Sequence, residues 1–235
     1  MKTNPTTLRN FAFFYFALGL TEIYVELRGI AFLKYGLKPL LMISLAIFYF
    51  TQSKAASKFD KLIITALVFS LFGDIALMLP PDSKQLSFMA GLVSFLIAHV
   101  FYILGFANNI KESQKPLKAG EIFASALPFL AFGVSFFLYM KDDLHKMLLP
   151  VLFYTSVICT MGTTAALRNK RVNAASFIWV LAGAIIFILS DSTIALSKFV
   201  FSPENPLPYA RLIIMALYIT AQYLIAVGSL KKREA

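Results

Sequence analysis

Long apolar runs, each broken by charge, proline or a polar cluster, recur from one end of the chain to the other. They fall roughly at Phe11–Tyr24, Leu37–Phe50, Leu62–Leu79, Leu86–Phe106, Ile122–Tyr139, Leu148–Leu167, Ala175–Leu196 and Leu212–Leu230. A helix needs about 20 apolar residues to cross a bilayer, so the pattern predicts an all-α bundle of eight transmembrane helices. The second run is short enough to be tilted or interfacial, but an odd number of spans would spoil the charge distribution between the loops. The first run follows Lys2 and Arg9 and mimics a signal peptide. No small-x-small cleavage site closes it, so it reads as the first span.

With eight spans, the two tails and the second, fourth and sixth loops share one side. That side carries the larger share of the basic residues, in clusters such as Lys54, Lys58 and Lys61, then Arg168, Lys170 and Arg171, then Lys231, Lys232 and Arg233. Basic loops stay on the cytoplasmic side, so both termini are expected there. The C-terminal cluster reads as an anchor to anionic lipid.

Composition sharpens this reading. The 235 residues are 59% hydrophobic and 14% charged, whereas about a quarter of a soluble domain is charged. Eight spans consume about 160 residues and leave about 75 for loops and tails, so residues 1–235 form a single transmembrane domain. A receptor ectodomain and a cytosolic catalytic lobe are excluded. The net charge of +10 would suggest nucleic acid in a soluble chain; spread over short loops it is a topology signal, and no nucleic-acid partner is expected. The single cysteine, Cys159, permits no intrachain disulfide and reads as packing. Two histidines, His99 and His145, are too few for a three-histidine zinc site.

Ionisable groups inside spans are costly, face the bundle interior and mark sites. Asp74 and Asp191 qualify. At about 1.5 Å per residue, Asp74 stands about 18 Å above Leu62 and Asp191 about 24 Å above Ala175, both in the outer half of the bilayer. On the antiparallel fourth run, His99 falls near mid-depth with Tyr102 on the same face. These four groups are expected to line one outward-opening cavity. Glu22 and Glu26 share a face at the outer end of the first run, either as a solvated pair or as a seat for a cationic head group. Lys38 precedes Pro39, where proline suits a helix N-terminus, and it either snorkels to the interface or binds a lipid phosphate. Gln222 in the last run reads as an interhelical hydrogen-bonding group.

Two acids in a low-dielectric cavity cannot both stay ionised cheaply, so such a pair holds one proton near neutral pH. It can run acid–base hydrolysis, aspartyl proteolysis or proton-coupled transport. The proteolytic reading loses weight because intramembrane aspartyl proteases carry GxGD, whereas this chain has Leu71-Phe72-Gly73-Asp74. The segments Lys38-Pro39-Leu40-Leu41-Met42, Gly73-Asp74-Ile75-Ala76-Leu77, Gly91 to Phe95 with Ala98-His99 and Tyr102, Gly183 to Phe187 with Ser190-Asp191, and Tyr218 with Gln222 are similar to those of the YhhN family of integral membrane proteins, whose characterised members are lysoplasmalogenases. The resemblance runs from the second span to the eighth. It implies a hydrolase that cleaves the vinyl ether bond of a lysoplasmalogen to a fatty aldehyde and a glycerophospho-base, with a lysophospholipid as substrate, membrane lipids as surroundings and no metal or organic cofactor. Asp74 and Asp191 are then the expected catalytic pair. His99 and Tyr102 would polarise water or hold the pair in register, Lys38 and Gln222 would contact phosphate or glycerol, and Gly73 and Ser190 would support the site. A proton-coupled transporter of a small amphiphile is the alternative. Compact loops point to a bacterial inner membrane, with the endoplasmic reticulum as the other candidate.

Overall fold

The computed structural model describes residues 4–79, 84–201 and 205–232. Of the expected topology signals, Lys2 and Arg233 lie outside the described residues. The described chain is helical: α1 (Pro5–Arg28), α2 (Ala31–Ser53), α3 (Lys58–Met78), α4 (Lys84–Glu112), α5 (Ala119–Met140), α6 (Leu148–Ala166), α7 (Ala174–Ala195) and α8 (Ala210–Lys231). A 3₁₀ turn, His145–Met147, leads into α6, and a π turn, Leu196–Val200, extends α7. Among the described residues six helices, α3 to α8, are long and apolar enough to cross a membrane. The protein is therefore a multi-pass membrane protein. α1 carries Arg9, Glu22, Glu26 and Arg28, and α2 carries Lys34 and Lys38.

The apolar runs mark the centres of these helices and understate the ends of several, most of all in α1, α2 and α4. α2 begins at Ala31, not at Leu37, so Pro39 lies inside the helix and not at its N-terminus. Lys34 breaks the apolar run without breaking the helix, while Pro39 deprives the Tyr35 carbonyl of its usual partner. α4 continues beyond Phe106 to Glu112, because the polar residues at that end are themselves bonded.

That end of the bundle is clasped by polar groups. Arg168 is fully buried; its Nε donates to Asn109 Oδ1 at 3.1 Å and its Nη2 to Ser176 Oγ at 2.8 Å, tying the exit of α6 to α4 and α7. Ser57 and Asp60 cap α3 reciprocally, and Tyr49 of α2 donates to the same Asp60. Asn173 accepts from the Ser176 amide to cap α7 and donates to the Lys231 carbonyl at the end of α8. Phe11 stacks on Phe48 at 3.8 Å, and Lys232 pairs with Glu112. Both ends of the described chain therefore lie at the clasped end. Most buried polar groups there are hydrogen-bonded, although Asn109 Nδ2, Arg171 Nε and Ser229 Oγ are not; the open site lies at the opposite end.

Two helix pairs pack most closely, α3 with α4 and α7 with α8. In the second pair the approach is backbone to backbone. A Cβ at Gly183 would stand 2.9 Å from the Ala221 carbonyl oxygen, and one at Gly228 2.9 Å from the Val180 nitrogen. Small residues are what permit such contact between helices in lipid. Gly183→Val is expected to force α7 and α8 apart and lower stability by about 1–3 kcal/mol, read as an earlier thermal transition of the purified protein in detergent. Gly36→Ala, inside α2 where a Cβ meets nothing within 4 Å, serves as the control and does not lower the transition.

Candidate active site

At the open end, α3 and α7 each bring one carboxyl group toward the same space. Asp74 is buried, and Gly73 beside it is bare because a Cβ there would strike the Phe95 ring at 2.7 Å. Gly73 thus seats α4 against α3 and contributes shape, not chemistry. Asp74 Oδ2 accepts from the Tyr218 hydroxyl at 2.7 Å, while its Oδ1 lies 3.7 Å from Lys38 Nζ. Asp191 Oδ2 accepts from the Tyr154 hydroxyl at 2.5 Å and lies 3.8 Å from His99 Nε2. The first acid is matched by a cation and a phenol. The second is matched by a phenol and an imidazole.

Both acids line one cavity of ≈770 Å³ of open space, mouth included, with Lys38, Tyr218 and Ser190 in its wall and Glu26 and Arg211 in its lining. Arg211 Nη1 reaches Glu26 Oε1 at 3.6 Å while its side chain remains 74% exposed. A second, apolar cavity of ≈680 Å³ of open space, mouth included, lies on the other side of Asp191, bounded by α4, α5, α6 and α7. Leu77, Phe95, Asp191 and Ile194 belong to both walls.

The expected site residues divide into three groups. Asp74, Asp191, Lys38 and Ser190 are brought together around the polar cavity. His99 is fully buried and stands behind Asp191, edge-on to Phe187 and Tyr154. Tyr102 and Gln222 are joined to each other, the tyrosine hydroxyl donating to Gln222 Oε1 at 2.7 Å. Both are fully buried and neither belongs to the wall of either cavity. Their bond links α4 to α8. Ser190 turns its hydroxyl onto the Ile214 carbonyl at 3.2 Å, a second tie between α7 and α8.

Three groups at the site carry no mark in the sequence that assigns them a role there. Tyr154 is one of ten tyrosines and Tyr218, although part of the family resemblance, is given no role by it; only the fold makes them the phenols that grip the two acids. Arg211 reads as one loop cation among many until α8 brings it to the mouth of the cavity. Phe95, Phe187 and Tyr218 meet edge-on in a cluster beneath the site, so apolar rings keep water away from the acids except through the cavities.

Among the described residues the arrangement offers Asp74, Asp191 and Glu26 around one cavity, Lys38 beside Asp74, Arg211 beside Glu26, and separate polar and apolar volumes. A family model described as the YhhN family matches residues 33–229. The chain is 34% identical to "Lysoplasmalogenase TMEM86A" of Homo sapiens over 177 residues, 73% of this chain and 66% of that protein. It is 31% identical to "Lysoplasmalogenase TMEM86B" of Homo sapiens over 194 residues, 83% of this chain and 74% of that protein. Identity to "Lysoplasmalogenase" of Mycobacterium tuberculosis is 26% over 172 residues, 73% and 61% of the two chains. The matched region thus spans about two thirds of the length of such relatives. No solved structure matches the chain.

Proposed function

The chain belongs to the YhhN family, and from that membership we propose that it is a lysoplasmalogenase, hydrolysing the vinyl ether of a lysoplasmalogen by acid–base chemistry on Asp74 and Asp191. The observation that carries the reading is the meeting of the two acids in one cavity, with Lys38 beside Asp74 and no comparable cation beside Asp191. An adjacent ammonium favours the carboxylate form, and burial without a cation favours the neutral acid. Asp74 is accordingly the carboxylate and Asp191 the proton donor.

The protonated Asp191 delivers its proton to the β-carbon of the vinyl ether, and the ether oxygen stabilises the resulting oxocarbenium ion. The Asp74 carboxylate stabilises that cation electrostatically. Water adds to the cationic carbon and returns a proton to Asp191. The hemiacetal then collapses, its hydroxyl proton passing to the departing glycerol oxygen, which frees the aldehyde and the glycerophospho-base. Tyr154 and Tyr218 fix the orientation of the two acids, and His99 packs behind Asp191 as a positioning residue. Lys38 and Arg211 flank the space for a phosphate.

The same reading gives α1 and α2 a place in the membrane. They are 24 and 23 residues long, about 35 Å each and enough to cross a core of about 30 Å. Of the charges that reduce their apolar character, Glu26 and Lys38 line the cavity. We therefore take all eight helices as spans, with both termini cytoplasmic by the basic-loop bias and a bacterial inner membrane as the host favoured by the short connections.

The test is aldehyde release from a lysoplasmalogen by the detergent-purified protein. Stoichiometric aldehyde and glycerophospho-base are expected. A folded protein that yields neither overturns the reading, and flux of an intact amphiphile into proteoliposomes would then identify a carrier.

A further inference from the structure

We propose that the apolar cavity between α4, α5, α6 and α7 is the receptacle for the single hydrocarbon chain of the lipid substrate, with the phosphate-bearing head in the polar cavity and the reacting bond held at Asp191. This deepens the lysoplasmalogenase reading and rests on it.

A lysolipid is a charged head joined to one long apolar chain, and its vinyl ether lies at the junction. The two cavities have the same order. Lys38 and Arg211 are in the polar one, and the other is lined by aromatic and aliphatic side chains. Their shared wall contains one carboxyl group, that of Asp191. Asp74, Lys38 and Tyr218 face only the polar cavity, whereas Tyr154 faces only the apolar one. A chain laid in the apolar cavity therefore brings its first carbons past Asp191, where a proton is delivered to carbon. Laid the other way, the chain would lie against Asp74, Lys38 and Glu26, at a high desolvation cost.

The bundle is also open in the right place for a chain to enter from the bilayer. α5 packs against α6 and the π turn, but α4 and α5 form no closely packed pair although both line the cavity. Phe88 and Leu92 of α4 face Phe132 and Phe136 of α5 across it, and the latter two rings stack on each other at 5.5 Å. A seam between α4 and α5 admits the chain sideways while the head enters through the mouth of the polar cavity, lined by Glu26 and Arg211. Thr155 and Cys159 on α6 line the cavity beyond Asp191, so side-chain size there sets how far the chain reaches.

The decisive probe is a 1-O-alkyl lysophospholipid, which lacks the vinyl double bond and is not cleaved, bearing a diazirine midway along its alkyl chain. Irradiated with the purified full-length protein, it should form adducts on α5 near Phe132 and Phe136 and on α6 between Val151 and Cys159. Excess unlabelled lysoplasmalogen should suppress them. Adducts confined to helices that do not bound the cavity, or adducts within it that competitor leaves intact, overturn the proposal. A second measurement is Thr155→Phe, which narrows the cavity without touching either acid. Pockets discriminate about tenfold or more per methylene at a fitted wall, so the ratio of kcat/KM for a long over a short alkenyl chain should fall by about tenfold. An unchanged ratio in a folded, active variant also overturns it. The two readings fail separately: competed adducts in the cavity without aldehyde release would remove the reaction and keep the chain site, and aldehyde release with adducts elsewhere would do the reverse.

Discussion

On the proposed mechanism, Asp191→Asn is expected to lower aldehyde release by about a thousandfold, the middle of the range a positioned general acid contributes, with little change in fold. The amide has nearly the shape of the carboxyl group, and its oxygen still accepts from Tyr154, whose hydroxyl lies 2.5 Å from Asp191 Oδ2. What it lacks is an acidic proton to give to carbon. Enol ether cleavage starts with that transfer, so the loss falls on kcat and leaves KM near its starting value, because Lys38, Arg211 and the apolar cavity are untouched. Initial rates of aldehyde formation against substrate concentration check both numbers. A variant that keeps kcat within tenfold of the parent would remove Asp191 from the acid role. Thermal unfolding alongside separates loss of chemistry from loss of fold.

The hydrophobic pattern carries the helices because each must present a continuous apolar surface to lipid, and that requirement is written residue by residue. It carries the acids too, since a carboxyl group inside such a run is costly and stands out against its neighbours. The pattern says less where a helix has ceased to face lipid. α2 is read six residues short, because Lys34 and the Pro39 ring both look like boundaries in a linear scan, yet the helix runs through them. α4 is read short at its far end for a related reason: Asn109 continues it by bonding to Arg168 from another helix. Contacts between distant helices leave no local trace, which is why Tyr154 and Tyr218 are invisible as partners of the acids. The same holds for the division of the expected residues. Spacing groups Tyr102 with His99 on one face of α4, but which helix that face meets decides their roles. His99 meets Asp191, whereas Tyr102 meets Gln222 and becomes part of the scaffold.

Asp74→Asn is expected to reduce kcat by about a hundredfold to a thousandfold and, unlike the change at Asp191, to destabilise the protein. Its carboxylate lies 3.7 Å from Lys38, whose side chain is only 15% exposed. Removing the acid leaves an ammonium in a largely enclosed place without its counter-charge, a loss of about 1–3 kcal/mol. The two losses have different origins and a second substitution separates them. Lys38→Met alone leaves Asp74 gripped by Tyr218 but removes the cation that keeps it ionised, so activity falls by about tenfold to a hundredfold. The Asp74→Asn, Lys38→Met double variant contains neither charge. Its unfolding transition should return toward that of the parent, because a neutral pair no longer bears the cost of an unmatched charge, while its kcat stays as low as that of Asp74→Asn. Stability and catalysis are thereby uncoupled at one pair of residues. If the double variant recovered activity along with stability, Asp74 would be an ion-pair partner for Lys38 and nothing more, and the oxocarbenium ion would have to be stabilised by another group in the cavity.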